Sequence, residues 1–242
     1  MTLTFLFTLL SVPLFADESL SAQIEKLQLQ SPVEYERRAE LQPRATRAGH
    51  LRFVGSELTD PTWAPLYLER YLNGDENTEV RRALLHLVYR SLEQIPTDVE
   101  NQYTEEPAIL RADILANSDN SLLTEQGLKD PSPLVRAALA RKAGISEEIS
   151  TAVIVHLLQD QDDTVKMDAA RASYRRDCMD AIPLLIPLSV QQENGTLALR
   201  SLYALSKINT EQAVAIVKKH QLAQSSHHNL AIFAANLLKV QQ

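Results

Sequence analysis

The apolar positions of this chain recur in groups that repeat about every thirty residues. Each group opens at an anchor and carries further apolar or small residues four or five, then seven or eight, places later, which is the spacing of one α-helical face. The anchors are Thr46, Val80, Val135, Val165, Leu197 and Leu230. The interval from the second to the third is nearly double, and the apolar run at 109–115 is the expected missing member. The pattern predicts repeated helical units.

A second apolar-periodic segment lies between successive anchors, so each unit is predicted to be a helical hairpin. Small residues on the stripe, such as Ala169, Ala170 and Ala234, let neighbouring helices approach closely. Predicted helix starts are Asp60-Pro61, Asp130-Pro131, Ser146 with Glu148, Asp163-Thr164 and Asn209-Thr210. A hairpin of this length cannot bury its apolar stripe alone, so the units must stack. We therefore expect an all-α fold, an α-solenoid of about six or seven antiparallel helix pairs over residues 43–242.

The amino-terminal segment differs from the repeats. Residues 1–16 contain no charged side chain and end in Ala16, and the apolar run is too short to span a membrane, as in a signal peptide. Cleavage after Ala16 predicts an exported protein, periplasmic or extracellular, without a membrane span; a buried amino-terminal helix is the alternative. Residues 17–42 hold two amphipathic segments, the second opened by the capping box Ser31-Pro32-Val33-Glu34. They are predicted to form a helical cap.

The clearest unit resembles the HEAT-like repeat family, in the short form found in phycobilisome lyases and many bacterial proteins. The resemblance rests on the run Asp130-Pro131-Ser132-Pro133-Leu134-Val135-Arg136-Ala137-Ala138, supported by 162–166 and by 181–185. It is good over about residues 126–207 and plausible from 43 to 242. The resemblance implies an architecture rather than a reaction. Pro187 falls inside the second helix of its unit and should kink or shorten it.

Motifs that carry chemistry are absent from the sequence. There is no glycine-rich nucleotide fingerprint, P-loop, GxSxG, HExxH or CxxC, so we expect no catalytic residue, cofactor or metal. The acidic run Asp160, Asp162, Asp163 lacks the glycine of a calcium loop and is expected to cap a helix. The single cysteine, Cys178, is expected to be a packing residue. His156 and His220 are expected to be partly buried.

Charge and aromatic residues bear on the partner. The net charge of −7 and a pI near 5.4 argue against a nucleic-acid binder. Six of the ten aromatic residues after the leader lie between Phe53 and Tyr103, within or beside an acidic stretch, which favours a protein partner there. The proposed contact residues are Trp63, Tyr67, Arg70 and Tyr71. The alternative is that these stripe aromatics fill the core.

These expectations favour one function and leave two others open. The favoured function is a non-enzymatic, exported scaffold that binds a protein segment. One alternative, which the sequence does not separate from the favoured function, is a structural stabiliser of a larger envelope complex. The other, implied by the family resemblance, is a lyase-type enzyme or a factor that handles a tetrapyrrole chromophore. Export counts against this last alternative, because those lyases act on cytosolic proteins.

Overall fold

A computed structural model describes residues 64–73 and 78–239 of the chain, except the side chain of Leu66. The described residues form twelve α-helices and three short 3-10 turns, and they contain no β-strand. The all-α class predicted from the apolar periodicity is confirmed. The chain divides into two compact units, residues 1–93 and 94–242. The predicted leader, 1–16, and the predicted cap, 17–42, lie outside the described residues.

The described part of the first unit is a pair of helices. Helix α1 spans Ala64–Leu72 and α2 spans Thr78–Leu92, and the two pack against each other. The repeat anchor Val80 is buried on α2, as are Leu84, Leu87 and Val88 at the offsets expected for one helical face.

Residues 94–239, the described part of the second unit, form ten α-helices. They are α3 Thr97–Asn101, α4 Ala108–Asn117, α5 Ser121–Leu128, α6 Pro133–Ala143, α7 Thr151–Leu157, α8 Asp163–Arg175, α9 Ile182–Val190, α10 Gly195–Ile208, α11 Thr210–Lys219 and α12 His228–Lys239. Helix α4 occupies the place that the double interval left for a missing unit, and Leu110, Ile114 and Leu115 are its buried residues, together with Ala112. Pro187 lies inside α9, which has nine residues.

Helices of the second unit pack in a regular order. Helices α4, α6, α8, α10 and α12 form a row in which each contacts the next. The anchors Val135, Val165, Leu197 and Leu230 are all buried within this row. The intervening helices α5, α7, α9 and α11 pack against members of the row. Each helix of the row therefore shares its buried face with neighbours, because no single amphipathic helix can cover its own apolar stripe.

Three predicted helix starts are displaced in the structure, and one is confirmed. Helix α6 begins at Pro133, later than the predicted Asp130-Pro131, and no side chain caps it. Asn209 caps α11 by accepting a hydrogen bond from the backbone N–H of Gln212, as predicted. Helix α8 begins one residue earlier than predicted, because the Asp162 side chain accepts from the backbone N–H groups of Thr164 and Val165. The predicted start of α7 at Ser146 is wrong. The Ser150 side chain caps that helix by accepting a hydrogen bond from the backbone N–H of Ala152, so the helix begins at Thr151 and is shorter than predicted.

Two buried ion pairs join helices of the row to the loops that follow. Arg111 of α4 pairs with Asp130, which precedes α6, and Arg136 of α6 pairs with Asp160, which precedes α8. Both pairs are bidentate: the second oxygen of each carboxylate accepts from another guanidinium nitrogen, 2.9 Å from Asp130 and 3.0 Å from Asp160. Planar, doubly hydrogen-bonded pairs fix orientation as well as distance. They connect each of these helices to the loop before the next helix of the row.

A glycine allows close approach between α6 and α8. A Cβ atom placed on Gly144, at the end of α6, lies 2.9 Å from the Cα of Ala172 and 3.0 Å from its Cβ. Because the first of these atoms is backbone, a side chain cannot be accommodated by rotating a neighbour. The close approach of α6 and α8 therefore depends on Gly144 and Ala172, two small residues at the contact.

Within residues 64–73 and 78–239, no helix has both the length and the apolar character that crossing a membrane requires.

Candidate functional site

The aromatic residues proposed from sequence as partner contacts lie mainly in the core. Tyr67 and Tyr71 are fully buried, and burial raises the pKa of Tyr67 to about 12. The guanidinium of Arg81 lies 4.7 Å from the centre of the Tyr71 ring. A buried ring offers no surface to a partner, so the core alternative describes both tyrosines. Trp63 lies outside the described residues and Arg70 is half-buried, and a role in partner binding at these positions stays a prediction.

A different surface of the second unit forms an open groove. The groove has a volume of about 550 Å³ and crosses three helices of the row, α8, α10 and α12. It is lined by Arg171, Tyr174, Leu199, Arg200, Tyr203, Asn229, Ile232, Phe233 and Asn236. Its size is that of a typical ligand or peptide site rather than of a packing defect.

Three aromatic rings form a continuous row along the groove. Tyr174 and Tyr203 meet edge to face with ring centres 5.3 Å apart, and the Tyr203 and Phe233 centres are 5.7 Å apart. Each ring comes from a different helix, so the row spans α8, α10 and α12. Tyr203, at its centre, is 38% exposed, and Ile232 beside it is 47% exposed. Contiguous exposed apolar and aromatic surface of this kind marks binding sites more often than general surface.

The helical periodicity of α10 explains why these side chains point outward. Its buried residues include Leu197, Ala198, Ser201, Leu202 and Leu205. Arg200, Tyr203 and Lys207 occupy the opposite face at spacings of three and four residues, and all three are exposed. The packing of the row on one side of α10 thus presents the groove residues on the other.

Cationic side chains line the groove, and none of its lining residues is acidic. Arg171 and Arg200 line it, and neither forms an ion pair or side-chain hydrogen bond with any described residue. Lys207 lies beside it, with its ammonium 5.4 Å from the centre of the Tyr203 ring. Helices α10 and α12 contain no Asp or Glu at all. This local positive charge contrasts with the net charge of −7 of the whole chain.

A second, smaller depression continues the same face towards α6. It has a volume of about 170 Å³ and shares Arg171 with the first groove. Arg141, Lys142 and Arg175 add further cations, and its one acidic residue, Asp168, pairs with Arg141 at 2.6 Å. Lys142 is buried, and desolvation lowers its pKa despite the opposing effect of nearby carboxylates. The exposed cations of this depression that lack an acidic partner among the described residues are therefore Arg171 and Arg175, both on α8.

The acidic residues considered as metal ligands form a helix cap and ion pairs instead. Asp162, one residue before the predicted start, caps α8, while Asp160 pairs with Arg136, and Asp163 pairs with Lys166 and accepts from Asn194. No cluster of His, Cys, Asp or Glu suited to a metal ion occurs among the described residues.

The predicted burial is confirmed for the cysteine and wrong for the two histidines. Cys178 is buried, as predicted, and burial raises the pKa of its thiol, with the carboxylate of Asp180 acting in the same direction. The prediction that His156 and His220 are partly buried is wrong, because both are exposed. His156 lies near the end of α7 and His220 just beyond α11, where the helical face turns to solvent.

Sequence reasoning missed the groove residues because it followed aromatic density. Five of the six residues of the dense aromatic stretch belong to the first unit, whereas the groove has three aromatic residues. The signal that identifies them is periodic: Tyr174, Tyr203 and Phe233 follow one another at intervals close to the repeat length. Equivalent positions in successive helical units lie side by side when the units pack in a row.

Comparisons with known proteins give no match: no protein-family model, no curated protein and no solved structure matches this chain.

Proposed function

We propose that this protein is a non-enzymatic binding protein that holds a segment of another protein in the groove of α8, α10 and α12. The observation that supports this proposal is the open groove, which has a volume of about 550 Å³. It contains a continuous aromatic row and cations that have no acidic partner within the described residues. Exposed aromatic and Arg side chains are the types that contribute most to protein interfaces.

The architecture supports this proposal. We propose that the hairpins of residues 94–242 are HEAT-like repeats of an α-solenoid, because their row helices contact in succession and their anchors recur at the repeat length. Arrays of stacked helical hairpins present extended surfaces made of equivalent positions from successive units. The aromatic row has this property. The extension of the array to residues 43–93 stays a prediction from the sequence.

The location of the protein is proposed from its amino-terminal sequence. An uncharged apolar segment ending at Ala16 supports export to a periplasm or the extracellular space, where the partner would then be found. The amino-terminal residue of the purified mature protein tests this proposal. Asp17 is the expected first residue, and a protein that retains Met1 in the cytosol contradicts export and favours the lyase-type alternative.

The binding proposal is tested by capture of partners from envelope or secreted material. The bait is the full mature protein, compared with a variant carrying Tyr203→Ser and Ile232→Ser. The control variant is Leu122→Ser on α5, because Leu122 is also exposed, at 64%, and lies away from the groove. A protein held by the wild type and the control but lost by the groove variant supports the proposal.

Three results would contradict it. Equal capture by the groove variant would place binding elsewhere on the molecule. Co-purification of a tightly bound chromophore would favour the tetrapyrrole-handling alternative. Catalytic turnover that is lost with the groove variant would contradict a purely binding role. Circular dichroism of all three proteins must show the same helicity, since these exposed side chains are not needed for the core.

A further inference from the structure

We propose that the segment bound in the groove is an acidic peptide with an aliphatic anchor, whose carboxylates pair with Arg171 and Arg200. This inference rests on the proposed function and adds the chemistry of the partner. It is carried by three observations: charge, the aromatic surface, and two side-chain amides placed along α12.

The first observation is an excess of positive charge at the groove that no acidic side chain of the described residues neutralises. Arg171 and Arg200 are exposed and form no ion pair with any residue that the structure describes. Arg175 and Lys207 flank the groove and likewise lack an acidic partner there. A guanidinium binds a carboxylate through two parallel hydrogen bonds, which gives both strength and orientation. Three guanidinium groups and one ammonium group, in or beside the groove, favour an anionic occupant and disfavour a basic one.

The apolar observation defines where an uncharged side chain of the peptide lies. Tyr203, Ile232 and Phe233 form adjoining surface between the cations of α8 and α10 and the amides of α12. An aliphatic side chain laid on this surface removes apolar area from water at about 25 cal/mol per Å². A purely hydrophilic polyanion leaves the same surface exposed.

The amide observation concerns donors and acceptors that an extended peptide backbone can use. Asn229 and Asn236 are seven residues apart on α12, so they lie on the same helical face two turns apart. Both are exposed, and neither side chain forms a hydrogen bond with a described residue. An Asn side chain offers a donor and an acceptor together, which matches the N–H and C=O groups of an extended peptide backbone.

Direct binding measurements test the inference. Fluorescence anisotropy with the full mature protein compares three labelled eight-residue peptides that share the same leucine positions. The remaining positions are glutamate in one, glutamine in the second and lysine in the third. We expect the glutamate peptide to bind about two- to thirtyfold more tightly than the glutamine peptide, since it forms two ion pairs with exposed arginines, each of which contributes modestly in water. Its affinity should fall as salt is added.

Matched variants locate the effect. The double variant Arg171→Gln and Arg200→Gln should lose the preference for glutamate over glutamine. The control, Lys218→Gln and Lys219→Gln, removes the same charge from exposed positions on α11 and should leave the preference unchanged. Tyr203→Ala should weaken both peptides by about tenfold, because it removes the central ring on which the anchor lies.

The outcomes separate the inference from the proposed function. Equal binding of the glutamate and glutamine peptides, both weakened by Tyr203→Ala, overturns the acidic partner and leaves the groove as a binding site. Peptide binding that ignores every groove variant overturns both. Tighter binding of phosphatidylglycerol vesicles or of a single-stranded oligonucleotide, lost with the arginine double variant, overturns the peptide in favour of another anion.

Discussion

Removing the carboxylate of Asp160 should cost a large part of the stability of the second unit. Arg136 and Asp160 are each only 9% exposed, and their two contacts are 2.6 Å and 3.0 Å long. Arg136 also donates to the backbone oxygens of Asp130 and Pro131, at 2.8 Å and 3.1 Å. Asp160→Ala leaves the guanidinium in place with carbonyl partners only. Breaking a buried pair from one side costs about 3–5 kcal/mol in the free energy of unfolding.

A second ion pair in the same row of helices provides the matched control. Arg141 pairs with Asp168 at 2.6 Å, but the Arg141 side chain is 47% exposed. Water screens such a pair and hydrates the arginine when its partner is removed. Asp168→Ala should therefore cost only about 0.2–1 kcal/mol, although it deletes the same chemical group.

The assay is urea unfolding of the full mature chain followed by far-ultraviolet circular dichroism. Helicity is the appropriate probe because the only tryptophan, Trp63, lies outside the described residues. With a urea dependence of about 1–3 kcal/mol per M, the Asp160 variant should unfold at a midpoint at least about 1 M lower than the wild type. Equal midpoints for the Asp160 and Asp168 variants would refute the argument that buried pairs hold successive helices together.

Three further predictions follow from the same packing. Burial alone would raise the pKa of Asp160, but hydrogen bonds from Arg136 and the backbone of Asp162 outweigh it and the pKa is lowered. This stabilisation is complete above the unfolded value of about 3.9 and is lost as pH falls through the lower folded value. Urea midpoints of the wild type should therefore fall more steeply below about pH 4 than those of Asp160→Ala, and parallel profiles would contradict this. Gly144→Ala should destabilise the protein by about 1–3 kcal/mol in the same assay, because the added methyl meets the backbone of Ala172; an unchanged midpoint would show that the two helices can separate freely. Leu185→Ala should cost about 2–5 kcal/mol, because its side chain is fully buried on α9, and a loss near zero would mean that α9 is not packed as described.

The helices of the second unit could largely be predicted from sequence because burial imposes its period on the residues. Val135, Val165, Leu197 and Leu230 mark equivalent positions, and all four are buried in the row helices. Capping was predictable where one short polar side chain precedes the apolar run, as at Asn209. At α7 several polar residues precede the run, and the sequence offered no means of choosing Ser150 over Ser146.

The candidate site was harder to predict because exposure depends on neighbours that are distant in sequence. Tyr67 and Tyr71 lie four residues apart on one helix, and periodicity alone does not tell whether another element covers that face. Tyr174 and Tyr203 are isolated in sequence, and their contact exists only because α8 packs beside α10. The groove therefore depends on contacts between helices. The spacing of residues within one helix had indicated a different site, at Tyr67 and Tyr71.

The measurement that tests the account most directly is site-specific photo-crosslinking of the acidic peptide to the full mature protein. A photoreactive phenylalanine analogue replaces Ile232 in the groove in one protein and Leu122 on α5 in another, since both positions are exposed. We predict a crosslink from position 232 that unlabelled peptide competes away, and none from position 122. A crosslink of equal yield at both positions, or at 122 alone, would contradict the claim that this groove is where the protein binds its partner.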